Sequence, residues 1–258
     1  MCGRFVSATP PDQIARYFDA VDDTGEGAGE DSGDDTGADS FAANYNVAPT
    51  TDIFTIRSDG QVRRLERLHW GLVPFWAKDP SVGNRMINAR AESIAEKSAY
   101  KRAFGKRRCI IPADGFYEWT AVPGQKKKQP VYIQRIDGEP LAFAGLWEVW
   151  RNKDDPDDRL ESCTIITGAP NDKIAEIHDR MPVILPPSAW ATWLDPSIDD
   201  LDLLGEFLVP APSSLLTIHP VGFGVNNVRN NDEHLVDPVD PATPADDAGT
   251  LPLGGTGS

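Results

Sequence analysis

Cys2 directly follows the start methionine, in the run Met1-Cys2-Gly3-Arg4-Phe5. Because methionine is commonly removed before a small residue, we expect cysteine to become the first residue of the mature chain. A terminal cysteine carries a thiol beside an α-amine whose unperturbed pKa is about 7.7 to 8.0. The amine can attack an aldehyde to form an imine, and the thiol can then close a five-membered thiazolidine. The alternative is an ordinary terminus, exposed and frayed.

Three further runs contain side chains that could transfer protons or bind phosphate. They are Ile87-Asn88-Ala89-Arg90-Ala91-Glu92, Asp114-Gly115-Phe116-Tyr117-Glu118-Trp119 and Ile177-His178-Asp179-Arg180-Met181-Pro182. Glu118 lies among aromatic residues, where partial burial should raise the pKa of its carboxyl group toward neutrality, as proton transfer requires. His178 could donate or accept a proton, since its unperturbed pKa is about 6.5. Alternatively, Glu118 ends a strand at the surface, and His178 is structural at a helix C-terminus.

The charge of the chain is unevenly distributed. The formal net charge is -15, which alone argues against nucleic acid as a partner, because cationic contacts to phosphate supply most of the affinity of such proteins. Residues 19–40 hold nine acids and no base, residues 230–258 hold six more acids and no base, and the remainder has 25 of each. A local basic groove therefore stays open, although a solvated charged face is the alternative. The basic clusters are Lys97, Lys101, Arg102, Lys106, Arg107, Arg108 and Lys126 to Lys128.

The cysteine count and the apolar runs limit the class of protein. Cys2, Cys109 and Cys163 are far apart and include no CxxC pair, so we predict neither a disulfide framework nor a zinc site, and no cofactor. No basic stretch leads into an apolar one at the start. No apolar run approaches the roughly 18 residues of a membrane span. These features predict a soluble, reduced, cytoplasmic protein.

Short β-rich runs punctuated by Gly and Pro dominate the chain, and helical runs are fewer. Predicted strands cover residues 53–57, 62–68, 108–112, 131–136, 141–147, 163–167, 183–185 and 216–219. Predicted helices cover residues 10–18, 91–104, 171–178 and 187–193. The pattern favours an α+β fold, a single domain around a curled, mostly antiparallel, barrel-like sheet. We expect this domain over residues 1–236, with an acidic disordered insertion at about 22–40 and an acidic disordered tail at 237–258.

Taken together, these runs resemble the SRAP family, named for SOS-response-associated peptidases and known for shielding abasic sites in single-stranded DNA. The resemblance extends from Met1 to about Val228 and is specific because many runs occur in the same order. Four more of them are Tyr45-Asn46-Val47-Ala48-Pro49, His69-Trp70-Gly71-Leu72-Val73-Pro74, Arg108-Cys109-Ile110-Ile111-Pro112-Ala113-Asp114-Gly115 and His219-Pro220-Val221. The resemblance implies a monomer of the DNA damage response that binds single-stranded DNA at abasic sites, without metal or cofactor, and joins the nucleoid when bound.

The resemblance also implies a role for each chemical group. Cys2, once terminal, would form a thiazolidine with the ring-opened aldehyde of an abasic deoxyribose. Glu118 would be the acid/base for imine formation. His178 would transfer protons during opening of the sugar ring and during closure or reversal of the adduct. Asn88 would orient the sugar hydroxyl or the aldehyde oxygen through its amide.

The same resemblance assigns a second set of residues to DNA binding. Arg4 and Arg90 would hold phosphates of the strand. Pro49, Phe75 and Trp76 would wedge against the bases that flank the lesion. Phe75 replaces a tryptophan of some relatives, so we expect a smaller stacking area there. Three other tryptophans are expected in the core, namely Trp70, Trp119 and Trp147.

Two other functions stay open. One is a thiol peptidase of the N-terminal-nucleophile kind, which would include self-removal of Met1, with Cys2 attacking a carbonyl and its own amine or His178 as base. It leaves the phosphate-binding and stacking residues without a purpose. The other is a noncovalent reader of modified or single-stranded DNA. It predicts that Cys2→Ala binds DNA as well as the unaltered chain does.

Overall fold

Strands make up most of the regular structure in the computed structural model, which describes residues 2–25, 41–124, 126–155 and 157–240. The strands are β1 (Phe5–Ser7), β2 (Val21–Asp22), β3 (Asn44–Val47), β4 (Asp52–Ser58), β5 (Arg63–Trp70), β6 (Asn88–Arg90), β7 (Arg108–Ala113), β8 (Gly115–Thr120), β9 (Gln129–Arg135), β10 (Leu141–Arg151), β11 (Arg159–Gly168), β12 (Met181–Pro182) and β13 (Leu216–Pro220). The α-helices are α1 (Pro11–Phe18), α2 (Lys101–Lys106), α3 (Asp172–Ala175), α4 (Trp190–Leu194) and α5 (Leu201–Gly205).

Five of the strands close into a barrel. β10 pairs antiparallel with β7 and β11, and β4 pairs antiparallel with β5 and β7. β5 and β11 then pair in parallel, with Ser162 opposite His69 and Cys163 opposite Trp70, which joins the two ends of the row. The short strands β2, β6 and β12 pair with β5 or β11. The predicted α+β fold around a curled, mostly antiparallel sheet is confirmed.

A second, antiparallel sheet has the order β13-β9-β8-β1-β3 and holds the start of the chain. β1 is a central strand, because Phe5 lies opposite Phe116 of β8 on one side and opposite Val47 of β3 on the other. The pairing continues before β1, where the Tyr117 N–H donates to the Arg4 carbonyl oxygen at 3.0 Å. The first residues are therefore hydrogen-bonded in a sheet rather than frayed.

Alternate residues of the barrel strands fill two apolar clusters, as the period of two along a strand requires. Ile110 of β7 belongs to a cluster that α1 and α4 cover. Its neighbour Ile111 points the other way, into a cluster shared with Cys2 and Phe5. The interior between the barrel and the second sheet therefore surrounds the beginning of the chain.

The predicted helix over residues 91–104 is largely wrong. Ala91–Ser93 forms a turn of 3₁₀ helix, and α2 begins only at Lys101. Ile94 and Tyr100 are both buried in the same cluster. Six residues correspond to about 600° of rotation in an α-helix, which leaves the two side chains about 120° from a common direction. A continuous helix could not turn both toward the core.

The predicted strand at 183–185 is only an isolated bridge, in which Ile184 pairs with Phe143. Conversely, the sequence did not indicate the strands β1, β3, β6 and β8, which are short or have distant partners. Three of these four, β1, β6 and β8, lie next to or carry a predicted site residue. Local pattern therefore predicted the barrel better than it predicted the strands around the site.

The predicted insertion and tail lie mostly outside the described residues. The insertion begins within β2, which pairs in parallel with β5, and its residues 26–40 are not described. The tail begins beside β13, where the Val239 N–H donates to the Pro220 carbonyl oxygen at 3.0 Å. Residues 241–258 are not described. The domain boundaries stay a prediction. Over the described ranges, none of the helices has both the length and the apolar character needed to span a membrane.

Gly71 and Gly83 bring two stretches of backbone into contact within the loop between β5 and β6. Gly71 has a φ of +145°, which side chains rarely adopt. A Cβ atom on Gly71 would lie 2.7 Å from the Gly83 carbonyl oxygen, and one on Gly83 would clash with the Gly71 carbonyl oxygen and with Val73. This crossing requires glycine at both positions, and it sets the path of the loop that carries residues 74–77.

We expect Gly83→Ala to destabilise the fold by about 1 to 3 kcal/mol, because the added methyl group overpacks the crossing. The free energy of urea unfolding measures this effect. Gly205→Ala is the matched control, since a Cβ at that helical position would meet no atom of the described residues within 4 Å, apart from its chain neighbours and its own helix backbone. The control should be neutral or stabilising, because alanine favours a helix more than glycine does. Equal stability of the two variants would contradict the prediction.

Candidate functional site

Cys2 lies just before β1 with its side chain fully buried. It belongs to the apolar cluster that also contains Phe5 and Phe116. Burial raises the pKa of the Cys2 thiol far above its usual value, and the negative charge of Glu118 adds to this, whereas a hydrogen bond from the Arg4 backbone acts in the opposite direction. The thiol is therefore protonated at neutral pH.

Glu118 reaches Cys2 because of the way β8 pairs with β1. Residues at alternate positions of a strand share a face, so Glu118 points to the same side as Phe116, whose ring lies in the Cys2 cluster. The side chain is buried, with 3% of its surface exposed. The carboxyl group thus lies inside the protein and close enough to shift the pKa of the Cys2 thiol.

Asn88 makes a direct contact with Cys2, the predicted nucleophile. β6 pairs in parallel with β11, with Asn88 opposite Ile165. The Asn88 Nδ2 donates to the Cys2 carbonyl oxygen at 2.8 Å. Its Oδ1 is buried, and no donor within the described residues reaches it. The amide therefore fixes the backbone of Cys2 and retains an acceptor for a ligand hydroxyl.

His178 follows α3, which begins where the Asn171 side chain caps the Ile174 N–H. The Arg180 N–H donates to the His178 Nδ1 at 3.0 Å, which places the proton of the neutral ring on Nε2. The Asp179 carboxylate lies 2.9 Å from the same Nδ1 and can accept a hydrogen bond from the protonated ring. The ring therefore has a partner at Nδ1 in either protonation state.

An ion pair ties the His178 segment to the segment that carries Asn88 and Arg90. The Arg180 Nη1 donates to both carboxylate oxygens of Glu92, at 2.6 and 2.7 Å. This contact lowers the pKa of Glu92. The sequence did not predict this pair, although Glu92 and Arg180 both lie in the motifs that contain Asn88 and His178. Their opposite charges allow such a pair, but only the fold shows which acidic and basic side chains meet.

Trp70 connects the nucleophile to the loops predicted to contact DNA. Its ring is fully buried, as predicted, and packs edge-on against Phe5 with centroids 5.2 Å apart. The Trp70 Nε1 donates to the Ile87 carbonyl oxygen at 2.9 Å, beside Asn88 in the sequence. Its backbone exchanges hydrogen bonds with Thr50 and Thr51, both at 2.9 Å. Through its side chain and its backbone, Trp70 thus positions the strands and turns around Cys2.

The predicted wedge residues lie on two loops that leave this point. Pro49 is half-buried in the turn between β3 and β4. Phe75 and Trp76 follow β5, and their side chains are 44% and 49% exposed. Exposed rings on neighbouring loops suit stacking with unpaired bases. Their contact with DNA stays a prediction. The same holds for Arg90, which is exposed at the end of β6.

Arg4 is engaged within the protein. The Arg4 Nη1 donates to the Asn46 Oδ1 at 2.7 Å and to the Val225 carbonyl oxygen at 2.8 Å. The buried Asn46 amide in turn donates to the carbonyl oxygens of Asn227 and Asn230, at 3.0 and 2.9 Å. Burial lowers the pKa of the Arg4 guanidinium. Arg4 therefore helps hold the C-terminal segment on β1 and β3, and its predicted phosphate contact stays a prediction.

The core prediction for the other two tryptophans is right only in part, because both rings pack against core clusters but stay partly exposed. Trp119 is half-buried, and its Nε1 donates to the Asn226 Oδ1 at 2.7 Å. Trp147 is half-buried between two guanidinium groups, with the Cζ of Arg57 at 4.4 Å and that of Arg107 at 5.2 Å from its ring centroid. Both rings use a polar or cationic partner at the surface, which a count of apolar residues does not indicate.

Some of the basic residues at positions 97–108 are paired or buried. Arg108 is buried and donates to backbone carbonyl groups, and burial lowers its pKa to about 10. Arg107 forms an ion pair with Glu148, and Lys106 forms one with Asp199 at 2.9 Å. These charges are compensated by other groups of the protein, at the surface for Lys106 and in the interior for Arg108. The charge run therefore contributes less positive surface than its sequence suggested.

The remaining cysteines are buried thiols, as is Cys2. Burial raises the pKa of Cys109 to about 12 and that of Cys163 well above its usual value, without a contribution from Glu118. Over the described ranges, no group of three or more His, Cys, Asp or Glu residues is arranged to hold a metal ion.

Comparison with known proteins identifies relatives over nearly the whole chain. The model of the family described as SOS response associated peptidase (SRAP) matches residues 1–228. Abasic site processing protein YoqW of Bacillus subtilis (strain 168) is 40% identical over 237 residues, covering 92% of this chain and 99% of that protein. Abasic site processing protein YedK of Escherichia coli (strain K12) is 31% identical over 243 residues, covering 93% and 100%. A crystal structure from Bacteroides thetaiotaomicron shares the fold, with a TM-score of 0.79 at 24% identity over 92% of this chain and 100% of that one.

Glu118→Gln should lower the pKa of the Cys2 thiol, because it removes a negative charge that raises this pKa. At any pH below the pKa, the variant should contain more thiolate and react faster with an alkylating reagent. Mass spectrometry of the Cys2 peptide across a pH series measures this. Cys109 and Cys163 are internal controls, and their profiles should not move. An unchanged Cys2 profile would refute the contact with Glu118.

Proposed function

Because this chain belongs to the SOS response associated peptidase family, we propose that it recognises abasic sites in single-stranded DNA and binds them covalently through Cys2. Two relatives are named abasic site processing proteins. The observation that carries the proposal is the meeting of three groups, since Asn88 is hydrogen-bonded to Cys2 and Glu118 acts on its thiol. A nucleophile, an acid/base and an orienting amide thus meet at one point, which supports capture of an aldehyde.

The proposed reaction begins once Met1, which lies outside the described residues, has been removed. The neutral α-amine of Cys2 adds to the aldehyde carbon of the ring-opened sugar, and the resulting carbinolamine loses one water to give an imine. The thiol sulfur then bonds to the imine carbon, and the nitrogen takes up a proton and becomes a secondary amine. One water is released for each cross-link, and no oxidant or cofactor is needed.

Glu118 can serve both halves of this reaction. Its carboxylic acid would give a proton to the departing hydroxyl group of the carbinolamine, and its carboxylate would then accept the proton of the thiol as the sulfur attacks. Burial keeps the Cys2 thiol protonated until the carboxylate is free to accept its proton. The amine therefore attacks first, and the thiol acts only when an imine is in place.

Asn88 and His178 would act on the sugar itself. With its Nδ2 fixed to Cys2, the Asn88 Oδ1 can accept a hydrogen bond from a sugar hydroxyl. His178 carries its neutral-state proton on Nε2 and could pass it to the ring oxygen as the sugar opens, and return it during reversal. The pair of Arg180 with Glu92 would keep the two groups in register.

Binding to an unpaired strand supplies the specificity in this proposal. Bases that flank the lesion would stack on Pro49, Phe75 and Trp76, at about 1 to 3 kcal/mol per base. Arg4 and Arg90 would contact phosphates. Such stacking needs unpaired bases, which favours single-stranded DNA. The covalent adduct would shield the lesion during the DNA damage response, and the protein would act as a cytoplasmic monomer, without metal, that joins the nucleoid on binding DNA.

A peptidase function receives less support from the site. A thiol nucleophile acts as a thiolate, whereas burial and the Glu118 charge raise the pKa of Cys2. Self-cleavage of Met1 and lyase action on DNA therefore remain predictions from the family resemblance, and aldehyde capture is the function we propose.

Cys2→Ala should abolish any adduct with an abasic oligonucleotide that survives heat and detergent, and Cys2→Ser should give no equally durable adduct, because the oxygen-containing ring opens more readily. Intact mass should show that the active chain lacks Met1, and that the adduct equals protein plus DNA less one water. Cys163→Ala is the control, because this buried thiol lies on β11 rather than at the chain terminus. Undiminished cross-linking by a chain that retains Met1 would overturn the proposal.

Glu118→Gln should slow adduct formation by about 100-fold or more, the usual contribution of general acid–base catalysis. His178→Ala should chiefly alter reversal of the adduct and strand cleavage. Rates of formation and release, measured separately on denaturing gels, test this division. The matched control is His234→Ala, since His234 is exposed and pairs with Asp237 away from the site. Equal kinetic effects of the Glu118 and His178 variants would refute the assignment.

A further inference from the structure

Phe75 and Trp76 are two exposed rings in the loop between β5 and β6, and a cation lies over one of them. The Arg102 Cζ is 4.5 Å from the centroid of the Phe75 ring. Arg102 itself is exposed on α2, and the neighbouring ring of Trp76 is exposed as well. A cation–π contact at the surface is worth about 0.5 to 1 kcal/mol, enough to favour one position of a long side chain.

The positive charge of Arg102 is not compensated by an ion pair within the described residues, whereas the basic residues that follow it are paired or buried. Lys106 pairs with Asp199, Arg107 pairs with Glu148, and Arg108 is buried against carbonyl groups. Arg102 forms no such ion pair within the described part of the chain. Its charge also contributes, after burial, to a lowered pKa of Arg107. In a chain with 40 acids against 25 bases, this cation stands beside an aromatic ring rather than a carboxylate.

A guanidinium over a ring keeps N–H donors at its edge, and their fork geometry matches two oxygens of a phosphate. Phe75 is covered on one side by this group, so a base could stack on that face only by displacing the guanidinium. Trp76 is the next residue along the loop, and no cation of the described residues lies over its ring. The two neighbouring positions therefore offer different surfaces, one anion-binding and one for stacking.

We infer that Arg102, supported by Phe75, binds a phosphate of the DNA strand next to the base that stacks on Trp76. This inference rests on the proposed function for its ligand, single-stranded DNA. It changes the role of Phe75, which becomes a positioning residue for Arg102 rather than a stacking surface. The smaller ring at this position then costs no stacking area, because the ring carries an arginine.

Binding of an undamaged oligodeoxythymidylate to the full chain across a series of salt concentrations tests the inference without any cross-link. Arg102→Ala should make the slope of log K against log salt concentration shallower by about 0.7, the effect of losing one phosphate contact on a single strand. Phe75→Leu should weaken binding in part, and the double variant should bind as Arg102→Ala does. Lys106→Ala is the matched control, and its slope should not change.

Two results would overturn the inference. One is an unchanged salt slope for Arg102→Ala. The other is additive losses for Arg102→Ala and Phe75→Leu, because Phe75 would then contact DNA on its own. Cross-linking to an abasic oligonucleotide, measured in parallel, separates the two proposals. If the unaltered chain forms the cross-link but Arg102→Ala leaves the salt slope unchanged, only this inference is refuted. If Arg102→Ala makes the slope shallower but the unaltered chain forms no adduct, only the proposed function is refuted.

Discussion

The pairing of β1 between β8 and β3 is the constraint on which the site depends. A terminus that is hydrogen-bonded on both sides has already lost most of its conformational freedom, and the apolar contacts of the surrounding cluster offset that loss. Cys2 can then be held against Asn88 and Glu118 at defined positions. The usual looseness of a chain end would make such an arrangement of a terminal amine impossible.

The second constraint is electrostatic and follows from the first. Burial of Cys2 disfavours a thiolate, and a nearby carboxylate disfavours it further. A site built to attack with sulfur would need a cation in that place. The arrangement instead suits a reaction in which nitrogen forms the first bond and sulfur the second, with the carboxylate close enough to take the last proton.

The sequence predicted the barrel well and the surroundings of the site less well. Short β-rich runs punctuated by Gly and Pro indicated β4, β5, β10 and β11, because those strands are long enough for a local pattern to appear. β1 and β6 span only Phe5–Ser7 and Asn88–Arg90, and their strand character comes from partners far along the chain. The residue types at the site followed from the motifs. The contact of Arg180 with Glu92 and the burial of Arg108 did not, since both depend on which segments the fold brings together.

The central position of β1 also affects the order of events during synthesis. The ribosome makes the N-terminal end of the chain first, yet its partner strand β8 spans Gly115–Thr120. Until that segment has emerged, Met1 and Cys2 belong to an open chain that a processing enzyme can reach. Once the strands have paired, Cys2 is buried beside the sheet. For the proposed function, a separate aminopeptidase that must reach the bond before Cys2 would therefore act before β8 arrives.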